Sequence, residues 1–371
     1  MILVKPSLFP EKTFPYIIVA PAYNSASAGI RALHMLCHSL NLIGQRAFIY
    51  IHPQVIWDDR GQYTCPELCT PLLIPEALAH FEQNGQPPVV IYPETVVGNQ
   101  LRASVIVRWL LNYPGLLGGD TTYDAGDILY AYSRRLAESV GIGEDRVLFL
   151  PTSSPHIFYP PLASAPRRGS CFYAAKYQSH HRGKLFPITA GSIEITRNLP
   201  TSQTKQQIAE LFRCSELFYT YEDTALAIEA GLCGCPTVFI PNAYLTESLG
   251  FDDIGRDGFA WGTSEEEIGR AKASVGQVRY NYEALIGRYW SQLQHFVEHT
   301  QAMAENKKQS HPAARVVLPT GLKKHLFIVV FIWRYIARNG WERFLVKAKF
   351  SIRRRGLFKM ITLSVRNLFW A

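Results

Sequence analysis

Short apolar runs alternate with amphipathic stretches over the first 150 residues. "YIIVA" (16–20) has the unbroken pattern of a strand buried on both faces. In the following "SAGIRALHMLCHSLNLIG", Ile30, Leu33, Leu36, Leu40 and Ile43 recur at spacings of three and four, which predicts a helix with one apolar face. Ser25 or Ser27 suits its N-cap, and Gly44 its C′ position. "RAFIYI" (46–51), "PVVIY" (88–92) and "RVLFL" (146–150) read as further strands, and "NQLRASVIVRWLLN" (99–112) as a helix. The rhythm is that of βαβ units, so a parallel sheet flanked by helices is expected.

Prolines and glycines then interrupt it. "PTSSPHIFYPP" (151–161) and "LASAPRRGS" mark a domain boundary. The pattern resumes at "SCFYAAK" (170–176), with "SELFYTY" (215–221) and "PTVFIP" (236–241) as later strands. A long polar helical stretch from "SEEEIGRAKAS" to "FVEHT" closes the second half, and "ENKKQSHPAAR" (305–315) reads as a linker. The expected organisation is residues 1–160 as one Rossmann-like domain, 161–304 as a second, 305–320 as a linker and 321–371 as a tail.

Composition adds three constraints. At 371 residues, 47% hydrophobic and 18% charged, the chain can bury two cores. The start, broken by Lys5, Pro6, Pro10 and Pro15, lacks the pattern of a signal peptide, and seven cysteines at irregular spacing do not form a disulfide framework. A reducing cytoplasm is the expectation. Cys65/Cys69 and Cys233/Cys235 have no partners at zinc-ligand spacing, so buried small apolar groups are the better reading of them; His180 and His181 could bind a metal. The net charge of +8 sits in the tail: twelve basic residues face Glu342 alone between 321 and 371, leaving the body at −3.

The candidate chemistry centres on "YEDTALAIEAGLCGCPTVFIPN" (221–242). A strand ending near Tyr221 would deliver Glu222, Asp223 and Thr224 to the ligand edge of a parallel sheet. Asp223 or Thr224 can cap the helix beginning near Ala225, whose amide groups favour a phosphate. Glu229, a turn and a half inside, would reach the hydroxyls of a ribose, and Gly231 would let the helix lie close to a neighbouring strand. A solvated glutamate on a surface helix is the plain alternative.

The ending "EAGLCGCPTVFIP" resembles the donor-site motif of GT-B glycosyltransferases, in particular the group 1 or family-4-like class, and among them the bacterial enzymes that build O-antigen or capsule. The resemblance implies two Rossmann-like domains facing a cleft, a nucleotide-sugar donor held by the second and an acceptor by the first. On the donor side it implies Glu229 at the ribose and Thr224 at the pyrophosphate, with Tyr221 and Glu222 nearby. It adds Lys176, Arg182 and Lys184 from "AAKYQSHHRGK" as cations for the diphosphate, and Gly29 as the small residue of the first loop. The family's glutamate pair is separated by seven residues, whereas six separate Glu222 from Glu229, which leaves the contact of Glu222 and the stereochemistry open.

Glu94 follows a strand directly in "YPETVVGN" and is the first-domain carboxylate best placed to take a proton from an acceptor hydroxyl. Asp120, Asp124 and Asp127 compete with it. Metal-independent transfer of a hexosyl or deoxyhexosyl group, with no cofactor, is the activity implied. The tail interleaves its charges with Trp341, Phe344, Phe350, Phe358 and Trp370, a composition suited to an amphipathic helix on an anionic membrane surface rather than to nucleic acid. "LFIVVFIW" (326–333) is too short to span a bilayer. Together these predict an enzyme peripheral to the cytoplasmic face of the membrane, acting on a lipid-linked glycan. A GT-B-type sugar-nucleotide epimerase and a non-catalytic membrane-associated subunit are the alternatives.

Overall fold

The computed structural model describes residues 13–52, 63–162, 166–197, 201–310 and 316–318. The first lobe contains strands β1 (Tyr16–Ala20), β2 (Ala47–Ile51), β3 (Val89–Pro93), β4 (Val105–Leu110) and β5 (Ile128–Ala131), with helices α1 (Ala28–Leu42), α2 (Pro75–Gln83) and α3 (Arg134–Ser139). The second contains β6 (Ser170–Tyr173), β7 (Ile193–Glu194), β8 (Leu217–Thr220), β9 (Thr237–Phe239) and β10 (Phe259–Trp261). Its helices are α4 (Ala175–His181), α5 (Lys205–Cys214), α6 (Leu226–Leu232), α7 (Phe251–Ile254) and α8 (Glu265–Ser274), and α9 (Val278–Ser310) closes the fold.

The sheet orders are β2-β1-β3-β4-β5 and β10-β9-β8-β6-β7. Read from the first strand of each lobe, both follow the doubly wound order 2-1-3-4-5. The pairings β1–β3, β3–β4 and β4–β5, and those joining β6 to β10, are parallel. Strands β1, β3 and β4 are buried along their whole length, as strands between two helical layers are; β1 and β3 carry no charged residue, and the one in β4, Arg108, is ion-paired. This is the α/β architecture expected: two Rossmann-like lobes with strand ends that meet at one cleft.

Helix α1 begins as its sequence predicts, with the Ser27 side chain accepting from the Ile30 amide. Gly44, at φ +84°, follows its C-terminal end. The helix expected over 99–112 is instead a turn followed by β4. Its Val-Ile-Val core favours a strand, and a short apolar run carries too few turns for periodicity to decide. The run at 146–150 forms only an isolated parallel bridge, Ala131 to Val147. Strand β6 stops at Tyr173, and the "AAK" assigned to it opens α4.

Residues 305–310, read as linker, are the last turns of α9. That helix returns to the first lobe. Tyr16 Oη and Thr300 Oγ1 are 2.7 Å apart, Gln301 exchanges two hydrogen bonds with Phe14, and Lys307 Nζ donates to the carbonyls of Ser104 and Gly126. Both sheets thereby belong to one compact unit. The tail from 321 lies outside the described residues.

Candidate functional site

In each doubly wound sheet the order of connections reverses between the first and third strands, and the carboxyl ends there leave a crevice. Here the two crevices open onto one cavity of about 360 Å³. Ser27 reaches it as the N-cap of α1 and Gly29 from the first turn of that helix rather than from the loop expected, and Glu94 and Thr95 from the end of β3. Lys176 enters after β6, and Asp223, Thr224 and Ala225 after β8. Apolar walls come from Leu33, Leu111, Phe149, Ile228 and Phe251.

Glu94 is 2% exposed. The Leu111 amide donates to its Oε2 at 2.9 Å. Burial pushes its pKa up to about 7, and Lys176 from the opposite lobe partly counters this. Its backbone is held as tightly. Gly119, at φ +84°, brings the chain so close that a Cβ there would stand 1.8 Å from the Glu94 carbonyl oxygen. Of the competing aspartates, the carboxylates of Asp120 and Asp127 hold local structure, whereas Asp124 contributes its backbone carbonyl to a turn. Asp120 accepts from the Gly98 amide at 2.5 Å, Asp127 pairs with buried Arg108 at 2.7 Å, and the Asp124 carbonyl accepts from the Asp127 amide.

On the second lobe, Asp223 Oδ2 accepts from the Leu249 amide at 2.6 Å, so it anchors the segment before α7. Burial raises its pKa, countered by that amide and by Lys176. Neither Asp223 nor Thr224 is the N-cap of α6, which is Ala225 with no side-chain cap; Thr224 lies one residue before it, its Oγ1 accepting from the Leu226 amide at 3.3 Å. Glu222 does not line the cavity. Its Oε2 accepts from the amides of Lys176 and Tyr177 at 2.6 and 2.9 Å, and burial raises its pKa. The Tyr221 hydroxyl is turned inward, accepting from the Phe186 amide and lying 2.8 Å from Thr189 Oγ1. Of the three cations expected near a diphosphate, Lys176 lines the cavity, whereas Arg182 and Lys184 are exposed and do not.

Glu229 is 1% exposed and lies between two guanidinium groups rather than on the cavity wall. Arg31 Nη1 is 3.1 Å from its Oε1, and Arg197 Nη2 is 3.3 Å from its Oε2. Gly231 brings α6 against α9 and not against a strand: a Cβ there would lie 2.7 Å from Val278 Cγ1. The sequence reading missed both arginines. Arg31 shares a face of α1 with His34 and His38, a pattern that reads as solvated, and Arg197 follows a two-residue strand without a motif.

The lobes are joined beside the cleft as well. The Tyr113 hydroxyl donates to Glu247, and Arg135 Nη2 pairs with Asp252 at 3.0 Å. All seven cysteines are free, and Cys37, Cys171, Cys233 and Cys235 are buried as small apolar groups.

No protein-family model and no curated protein sequence matches the chain. Solved structures do. AviGT4, a glycosyltransferase involved in avilamycin A biosynthesis, matches with 12% identity and a TM-score of 0.39, over 80% of this chain and 99% of its own. WaaG, a glycosyltransferase involved in lipopolysaccharide biosynthesis, matches with 11% identity and a TM-score of 0.39, over 80% and 99%. The glycosyltransferase SnogD from Streptomyces nogalater matches with 13% identity and a TM-score of 0.35, over 74% and 96%.

Proposed function

We propose that this chain transfers a sugar from a nucleotide-sugar donor to an acceptor hydroxyl in the cleft between its lobes. The observation that carries the reading is Glu94, a buried carboxylate with a pKa near 7 that faces Lys176 and Thr224 across a cavity open to both sheet edges. A general base works best when its pKa lies near the working pH. Glu94 takes the proton of the acceptor hydroxyl as the acceptor oxygen bonds to the anomeric carbon. The bond from that carbon to the diphosphate breaks, and the nucleoside diphosphate leaves with the electron pair. Lys176 meets the charge that develops there, and Thr224 offers its hydroxyl.

The resemblance of "EAGLCGCPTVFIP" to the GT-B donor motif supports the choice of donor. The finer part of the proposal is a hexosyl or deoxyhexosyl group passed without a metal to a lipid-linked surface glycan. The basic, aromatic composition of residues 321–371 supports its placement at the cytoplasmic membrane face. The test is donor hydrolysis and transfer across UDP-, GDP-, dTDP- and CMP-sugars, with wild type beside Glu94→Gln. Turnover of one donor class that falls about 10²–10⁴-fold in the variant is expected. Unchanged turnover in the variant would remove Glu94 from the mechanism.

A further inference from the structure

Large apolar side chains gather on the second lobe, outside the cleft. Leu185, Phe186 and Ile188 are each 39% exposed, Ile193 is 55% exposed and Tyr244 57%, and none of them lines the cavity. They follow one another along the chain and in space. Tyr244 stacks on His181 at the end of α4, with ring centroids 3.8 Å apart, and from there the chain runs through Leu185 and Ile188 to Ile193 in the edge strand β7. Apolar surface of this extent left in water marks a place where something else binds.

The ridge is fixed from beneath. The buried Tyr221 hydroxyl accepts from the Phe186 amide at 2.8 Å, Thr189 Oγ1 donates to the Phe186 carbonyl at 3.0 Å, and Tyr177 Oη donates to the Lys184 carbonyl at 3.2 Å. The amides of Thr189, Ala190 and Ser192 donate in turn to the carbonyls of Phe186, Pro187 and Thr189, and Pro187 has no amide to satisfy. These backbone groups are therefore paired inward while the side chains of Leu185, Phe186 and Ile188 face out, as entry into a medium without water demands. The flank is cationic. Arg182 and Lys184 are exposed just before the ridge, and no acidic residue occurs between Ala175 and Ile193. Apolar side chains beside exposed lysine and arginine complement an anionic lipid surface, the apolar groups entering the acyl boundary and the cations staying at the headgroups.

We infer that Leu185, Phe186 and Ile188, with Arg182, Lys184 and Tyr244, form a docking surface on the second lobe for an anionic lipid membrane, separate from residues 321–371. Helix α4 ties this surface to the cleft. Lys176 in its first turn lines the cavity, and Arg182 follows its last residue, about 10 Å further along the helix axis. Docking there brings the cavity close to the headgroups, where a lipid-linked acceptor would present its hydroxyl. That consequence rests on the transfer reading proposed above, whereas the lipid contact itself does not.

Co-sedimentation of the full chain with mixed phosphatidylcholine–phosphatidylglycerol vesicles tests this, with no donor present, so its outcome is independent of turnover. Phe186→Ser removes the centre of the ridge, and Lys184→Glu reverses a charge that is wholly on the surface, where a fold defect is least expected. Near-ultraviolet circular dichroism checks both variants. Each is expected to weaken partition about tenfold, with residues 321–371 the same in every protein compared. Leu116→Ser, at an exposed leucine of the first lobe, is expected to leave partition unchanged. On vesicles of phosphatidylcholine alone the effect of Lys184→Glu should vanish. Absence of wild-type partition overturns the inference. So does partition that both ridge variants keep, which would assign the lipid contact to residues 321–371 alone, or an equal loss in Leu116→Ser. A wild-type dimer in sedimentation equilibrium that Phe186→Ser dissociates would give the ridge to a second copy of the chain and overturn it as well.

Discussion

Replacing Glu94 by glutamine isolates the cost of burying a carboxylate at the cleft. The folded protein holds the Glu94 proton with a pKa of about 7, against 4.5 for the unperturbed group, because burial disfavours the charged form. The folded state therefore binds this proton more tightly than the unfolded state, so the stability that Glu94 contributes is complete below pH 4.5. It is lost as the pH rises toward 7. Between pH 5 and 8 linkage gives a loss of about 2.5 kcal/mol. Glutamine can still accept from the Leu111 amide but does not titrate, so Glu94→Gln is expected to hold that stability at pH 8. Urea denaturation at both pH values measures it, as the difference between variant and wild type. Asp253, pushed up to about 6 by burial, titrates in the same window and is common to both proteins, so the difference rather than the wild-type curve is diagnostic. Equal pH dependence in the two would refute a buried, neutral-leaning Glu94. The same proton sets the rate: kcat/KM should rise through pH 7 in wild type and lose that limb in the variant.

Lys176→Ala removes a cation that lowers the Glu94 pKa, so the rising limb of kcat/KM should move to higher pH while donor affinity falls, as a pH–rate series would read. Gly231→Ala places a methyl group against Val278 of α9 and should cost about 1–3 kcal/mol in denaturant unfolding. Glu229→Ala strands two buried guanidinium groups and should cost about 3–5 kcal/mol; a loss within experimental error would show that the triad carries no net charge coupling. On the proposed metal-independent transfer, chelation with EDTA should leave the rate unchanged, and a lost rate restored by a divalent cation would overturn that part of the proposal.

The parallel sheets were legible because a strand buried on both faces leaves an unbroken apolar run, as in β1 and β3. The start of α1 was legible because a serine cap precedes a three-four spacing. Glu94 could be placed at the cleft from one fact, that it follows such a strand directly. The β4 segment misled because Leu101, Val105 and Trp109 fall at helical spacing by coincidence, while its β-branched centre carried the true signal. Short strands such as β7 and β10, with two and three residues, are defined by pairing partners and not by their own pattern. The Arg31–Glu229–Arg197 cluster was invisible for a related reason. Its members are 198 and 32 residues apart, and each taken alone reads as an ordinary surface charge.

That cluster changes how the opening motif is understood. The GT-B resemblance implies a ribose at Glu229, yet each of its oxygens already accepts from a guanidinium and the residue is 1% exposed. A carboxylate has lone pairs to spare beyond two hydrogen bonds. A diol can use them only where surface is open, and here the space is filled by α1 and the segment ending at Arg197. Taking one arginine away to admit a neutral ribose would exchange a charge-assisted bond for a weaker one and leave a buried cation behind. In this arrangement Glu229 is a counter-ion that fixes α6 against α1, and the proposed donor site is left with groups that do face the cleft, Lys176 and Thr224. The small-residue helix and its glutamate thus form a joint between the lobes, holding the two sheet edges in register across the cavity that Glu94 faces.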